Sequence, residues 1–187
     1  VKLAGHGYSL SYRRGYYAVP DPPPVSDPGG VLNAALQPDT PLATMLLLKA
    51  KVQLPDAGRA AVEVDSTIDP GNVQFSTDAA GRRHARLLMT LVALPDPAPG
   101  TKVDIPKQPL KPPQSSGMYV VDLDQEAFRK LFKDGMPAHQ QLLLLAGRYR
   151  LRLGVLDLGN QRVGTLDMPV VIAAGAASTV GAGEARH

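Results

Sequence analysis

Apolar and polar side chains alternate along most of the chain after Leu42, most sharply between Gln141 and Ile172. Successive side chains of a strand point to opposite faces. From Gly147 that rule sets Tyr149, Leu151, Leu153 and Val155 on one face and Arg148, Arg150 and Arg152 on the other. This is the pattern of a half-buried strand. Asp157-Leu158-Gly159-Asn160 supplies turn chemistry, with Gly and Asn tolerant of the positive φ a hairpin loop requires. The return strand turns Leu166, Met168, Val170 and Ile172 inward, and Pro169 falls on the opposite register. Proline cannot donate to a ladder, so this strand is expected at a sheet edge.

Earlier segments follow the same period. Leu42, Leu46, Leu48, Ala50, Val52 and Leu54 share one face, with Lys49, Lys51 and Gln53 on the other. After a turn at 55–58, Val62, Val64 and Ile68 point inward, and Glu63, Asp65, Thr67 and Asp69 outward. A hairpin centred near Ala57 sets Lys51 against Glu63 and Lys49 against Asp65. Such cross-strand charge pairs support a register by roughly 0.2–1 kcal/mol each. Residues 73–76 read as a short strand. Residues 82–94 read as a central strand, polar at its start and apolar on both faces later. Residues 101–110 read as extended but irregular because of their prolines, and 118–123 as a further strand.

One segment has helical period. Asp124 can cap it, Glu126 suits its positive N-terminus, and Ala127, Phe128, Leu131 and Phe132 form a stripe that ends at Gly135. It is expected to plug one end of the fold. Asp27-Pro28 can begin a short helical turn through Leu36, with Asp27 as cap. Gly147-Arg148-Tyr149 has the form of the tyrosine corner of Greek-key sandwiches, where the phenol bonds back to backbone. The alternative is that Tyr149 is an ordinary core residue of an amphipathic strand. These elements predict an all-β fold, an immunoglobulin-like antiparallel β-sandwich over 31–172 with one short inserted helix at about 124–134. Residues 1–18 read as a hairpin closing a preceding domain. Residues 19–30, with five prolines, read as a stiff linker, and the glycine-rich 173–187 as a disordered tail.

Composition narrows the chemistry. At 187 residues and 44% hydrophobic, the chain can build a core. Its net charge of +3, from 20 basic and 17 acidic residues, is too small to argue for nucleic acid. The absence of cysteine removes disulfides, thiol nucleophiles and cysteine-based metal sites. With no tryptophan and 5% aromatics, a stacking platform for sugars or single strands is poorly supplied. No apolar run approaches the ~20 residues of a membrane span. No signal peptide is visible, and the chain begins at Val1 without Met, so it reads as a fragment or processed product and its start carries no information on export.

Asp65 and Asp69 lie four apart on one strand face, roughly 13 Å, too far for a shared proton or a glycosidase pair. Adjacent loops offer Asp69, Asn72 and Asp78 as oxygen ligands for calcium, against the simpler reading of surface charge. His6, His84, His139 and His187 form no close metal-ligand pair. Ser115-Ser116-Gly117 is not a hydrolase elbow, and Gly5-His6-Gly7 is not a nucleotide loop. No cofactor is implied. The remaining candidate is electrostatic: Arg82, Arg83 and Arg86 form one basic group, and Arg148, Arg150 and Arg152 another. If their strands are neighbours, a cationic face results that can dock an acidic protein, a polyanionic glycan or a lipid headgroup. The competing reading is a solvated face paired with local Asp and Glu.

Two segments carry a family likeness. YSLSYRRGYYA (8–18) resembles the closing strand of the von Willebrand factor A-related domain in a family of bacterial exported proteins, where an R-x-G-Y-Y string precedes a proline-rich joint and an all-β region. AGRYRLRLGVLDLGNQRVGTLDMPVVI (146–172) resembles that family's C-terminal pattern through Gly147, Tyr149, Leu151, Arg152, Val155, Asp157 and Gly164, and VDSTIDPGNVQF (64–75) is similar to the same region. The resemblance implies the C-terminal piece of a longer extracytoplasmic protein, periplasmic or secreted, without the A domain itself. The A domain's Asp-x-Ser-x-Ser metal signature is not matched by Asp65-Ser66-Thr67-Ile68-Asp69, so no metal ligand is carried over. The expected function is a non-enzymatic interaction or spacer module with a protein partner. The alternative is a glycan- or polyanion-binding sandwich that uses the arginines.

Overall fold

The computed structural model describes residues 26–54, 61–96 and 111–173. The proposed hairpin at 1–18, most of the 19–30 linker, the 101–110 segment and the tail from 174 lie outside them. The described chain is an antiparallel β-sandwich. One sheet joins β1 (Leu48–Gln53), β2 (Ala61–Ile68) and β6 (Met136–Leu143), in the order β1-β2-β6. In the other, β4 (Arg83–Pro95) is central. It pairs along one edge with β5 (Gln114–Leu123), and along the other with the two-residue β3 (Ser76–Thr77) and then β7 (Gly147–Asp157). Beyond β7 lies β8 (Val163–Ile172). Consecutive strands thus divide between two layers in the immunoglobulin-like manner, with β5 on the β4 side rather than beside β6.

Inward residues of both sheets make one core, including Val62, Val64, Ile68, Leu87, Leu91, Leu151, Leu153 and Val155. A second, smaller core lies on the outside of the larger sheet. There α1 (Pro28–Ala35), capped by Asp27 with proline in its first turn, lays Leu32 and Leu36 on Val92, Leu94 and Leu156. This explains why β4 is apolar on both faces toward its end, and why residues 151–157 are all buried. It also shifts the expected boundary, because residues 28–30 of the anticipated linker belong to the sandwich. Gly154 makes the helix seat possible: a β-carbon there would lie 2.8 Å from a Leu36 methyl and 2.9 Å from a Leu32 methyl.

Helix α2 (Gln125–Asp134) forms as its sequence predicts, with the Asp124 carboxylate accepting from Ala127 N at 2.8 Å and Gly135 at φ 86° ending it. Phe128 meets Phe75 edge to face at 5.0 Å, beside a 3-10 turn at Pro70–Asn72. Several details depart from expectation. The β1–β2 register sets Lys51 against Asp65 and Lys49 against Thr67, two residues from the predicted pairing. The side chains keep their faces because the shift is even. The expected strand at 73–76 is displaced to β3 by the 3-10 turn, and β5 begins at Gln114 rather than at 118. β6 occupies a stretch in which the sequence pattern predicts no strand, its period blurred by Pro137 and by Gln140 on the inner face. In the β7–β8 hairpin the positive φ belongs to Gln161, at 60°, not to Gly159 or Asn160. Asp157 is fully buried there, accepting from Gln74 N at 2.6 Å and Gly159 N at 2.8 Å. It therefore ties the hairpin to the 70–75 loop. Tyr149 packs on the main core with its ring over Gly147, while its hydroxyl has no hydrogen bond among the described residues.

Candidate functional site

The six arginines singled out by sequence do lie on neighbouring strands, but they do not converge. Along β4, alternate residues from Ala85 to Ala93 face the main core, which puts Arg86 on the outer face. Arg150 stands opposite Leu94, eight positions from Arg86, or about 26 Å at ~3.3 Å per residue. The apolar seat of α1 fills the interval. Arg82 donates to Asp122 Oδ1 at 2.6 Å and to its carbonyl at 3.1 Å. Arg83 turns away from the outer face, donates to Thr77 Oγ1 at 2.6 Å and lies 5.3 Å over the Phe128 ring.

Arg152 is 3% exposed. Its guanidinium forms a two-pronged pair with Asp167, Nε to Oδ1 at 2.6 Å and Nη2 to Oδ2 at 2.8 Å, and Nη1 donates to the carbonyls of Gln37 and Thr40. Asp167 strengthens the hold of Arg152 on its proton. Arg152 is thus a staple joining β7, β8 and the segment after α1, and it presents nothing to a ligand. Arg150 is half-buried, with its Nε 3.9 Å from Asp167 Oδ2. Of these six arginines, Arg86 and Arg148 alone are exposed with no partner among the described residues. Sequence did hold the signal for the staple: in the β7–β8 register Arg152 falls opposite Asp167.

The carboxylates proposed for calcium bind backbone instead. Asp69 accepts from Gly71 N at 2.8 Å, and Asp78 from Ala80 N and Arg82 N. Among the described residues no three His, Asp or Glu side chains gather to hold a metal. On the outer face of the smaller sheet His139 Nδ1 lies 2.8 Å from Asp65 Oδ1, and Gln53 Nε2 donates to Oδ2 at 2.6 Å. The histidine and then the glutamine hold the Asp65 carboxyl below its usual range. His84 makes a like contact with Asp78 at 3.1 Å, and Asp78 is lowered for the same reason. Neither pair is joined to a hydroxyl among the described residues.

The feature that sequence reasoning passed over is β5. Ala93 N donates to Pro113 O at 2.9 Å, so odd-numbered residues of this strand turn their backbone groups toward β4. The N–H and C=O groups of Ser116, Met118, Val120 and Asp122 therefore face away, and no described strand pairs with them. The same residues place their side chains on the outer face, where Met118 is 52% and Val120 65% exposed. Edge strands are normally guarded by charge, proline or brevity. β1 is short and carries Lys49 and Lys51, and β6 carries Pro137. β8 is strapped at its start, where Thr165 N donates to Ala43 O at 2.8 Å, and interrupted by Pro169 beyond. β5 has ten residues, no proline and no basic residue.

Compared with known proteins, the chain matches no family model and no curated protein sequence. Among the described residues no helix is long and apolar enough to cross a membrane.

Proposed function

We propose that the chain is a non-enzymatic interaction and spacer module of an extracytoplasmic bacterial protein, engaging a protein partner through the surface of its β-sandwich. The observation that carries this reading is the unguarded β5 edge, where a row of outward backbone groups borders exposed Met118 and Val120. Backbone pairing supplies affinity in strand addition, and alternate side chains supply selectivity. The likeness of 8–18 and 146–172 to von Willebrand factor A-related exported proteins supports the bacterial, extracytoplasmic setting. The polyanion reading is weaker, because Arg82, Arg83 and Arg152 already have partners and Arg86 stands far from Arg148.

A panel of extended peptides with alternating apolar residues tests the docking reading by amide NMR. Shifts centred on Ser116, Met118 and Val120, lost in Val120→Lys, are the expected result. Perturbation confined to Arg86 and Arg148 on adding heparin fragments, with none at β5, would overturn it in favour of the anion-binding module.

A further inference from the structure

We propose that the partner which fits the β5 edge is a second copy of this chain, added antiparallel about a two-fold axis at Met118. The inference rests on the docking reading above and names its occupant. The outward backbone groups belong to even-numbered residues, so a second β5 with its axis through Met118 presents groups of matching phase. Each outward N–H then meets an outward C=O of the other copy, except at the Asp122 end, where that carbonyl already accepts from Arg82 at 3.1 Å. The pairing sets Met118 against its own copy, Ser116 against Val120, and Gln114 against Asp122. Asp122 is the strand's one charged residue, and it meets an amide, with the two aspartates far apart at opposite ends of the ladder. No like charges face each other.

Side chains agree with this register. Met118 and Val120 are exposed on the outer face while Leu88, on the neighbouring strand, is half-buried. The two copies bring their exposed pairs into one apolar stripe that runs across the new junction. The contact is isologous and closes as a dimer rather than growing into a filament. It joins two five-stranded sheets, each counting the two-residue β3, into one continuous sheet, within the size that twisted sheets reach. The other edges cannot do this equally: a guest on β8 meets a missing donor at Pro169, and a second β1 would bring lysines against lysines.

Sedimentation of the full chain, combined with hydrogen exchange, tests the proposal. The expected result is a twofold mass, dissociating on dilution, with the amides of Ser116, Met118 and Val120 slowed by about tenfold or more in the dimer. Val120→Lys, and separately Met118→Lys, should halve the mass and release those amides while leaving the melting temperature of the folded unit nearly unchanged. A dimer that persists in both variants overturns the proposal, because another surface then joins the copies. A monomer with fast-exchanging edge amides also overturns it, yet leaves the docking reading to the peptide experiment. A monomer with slow edge amides overturns both, since the chain itself then closes that edge.

Discussion

Arg152 shows how far a residue's meaning depends on what covers it. Alternation correctly put it on the face opposite Leu151 and Leu153, but the period of a strand cannot say that a helix and its following loop close over that face. Once they do, its charge is desolvated and needs Asp167 and the two loop carbonyls. Arg152→Met leaves Asp167 with only the 3.9 Å contact to Arg150 and should cost about 3 kcal/mol in urea unfolding. The double variant Arg152→Met/Asp167→Leu should recover most of that loss, because the remaining charge is removed too. Asp65 gives a second test at this scale. Its folded-state pKa lies below the ordinary 3.8 because His139 and Gln53 bind the ionised carboxylate. A group with a depressed folded value contributes stability above its unfolded value and loses that contribution as pH falls through the folded one. NMR titration should therefore place the Asp65 midpoint below 3.8, and His139→Ala should move it upward.

Among the elements, those legible in the sequence were those whose local signals agreed. The caps of both helices, the inward faces of β1, β2, β7 and β8, and the edge position announced by Pro169 all follow from short-range rules. β6 was hidden because Gln140 sits on its inner face and Pro137 near its start, so alternation never emerges. The β1–β2 register was displaced because charge pairing did not decide it: the observed register keeps one opposite-charge pair, Lys51 with Asp65, where the predicted one had two. The close approaches of α1 and of the 43–46 strap depend on glycines whose role appears only when both partners are in place. At Gly154 an added methyl meets the movable ends of Leu32 and Leu36, whereas at Gly164 it meets the Leu46 carbonyl and β-carbon. Backbone gives less readily than a side-chain tip. Gly154→Ala should therefore cost about 1 kcal/mol and Gly164→Ala about 3 kcal/mol, with thermal melting of the two variants deciding the order.

At the scale of the whole sandwich, the six arginines reduce to two basic sites unpaired among the described residues, Arg86 and Arg148, separated by the apolar seat of α1, and this arrangement has a measurable signature. Arg86 and Arg148 lie at opposite ends of the larger sheet, about four times farther apart than the ~8 Å over which exposed charges interact at physiological salt. They should act independently on any polyanion. Binding that neutralises two phosphates or sulfates loses affinity with a log–log salt slope near −2, so a rise from about 50 to 200 mM salt should weaken it only about tenfold. Six arginines acting as one face would give a slope near −5 and a loss of roughly a thousandfold over the same range. Heparin-fragment titrations at the two salt concentrations distinguish these cases. Arg86→Glu and Arg148→Glu should each lower affinity by a similar, additive increment in the first case. Arg152→Glu should instead appear as a fall in melting temperature, because its guanidinium is enclosed by Asp167 and the carbonyls after α1. A steep slope, or an effect of Arg152 on binding at constant stability, would mean that the basic strands do work as a single anion-binding surface.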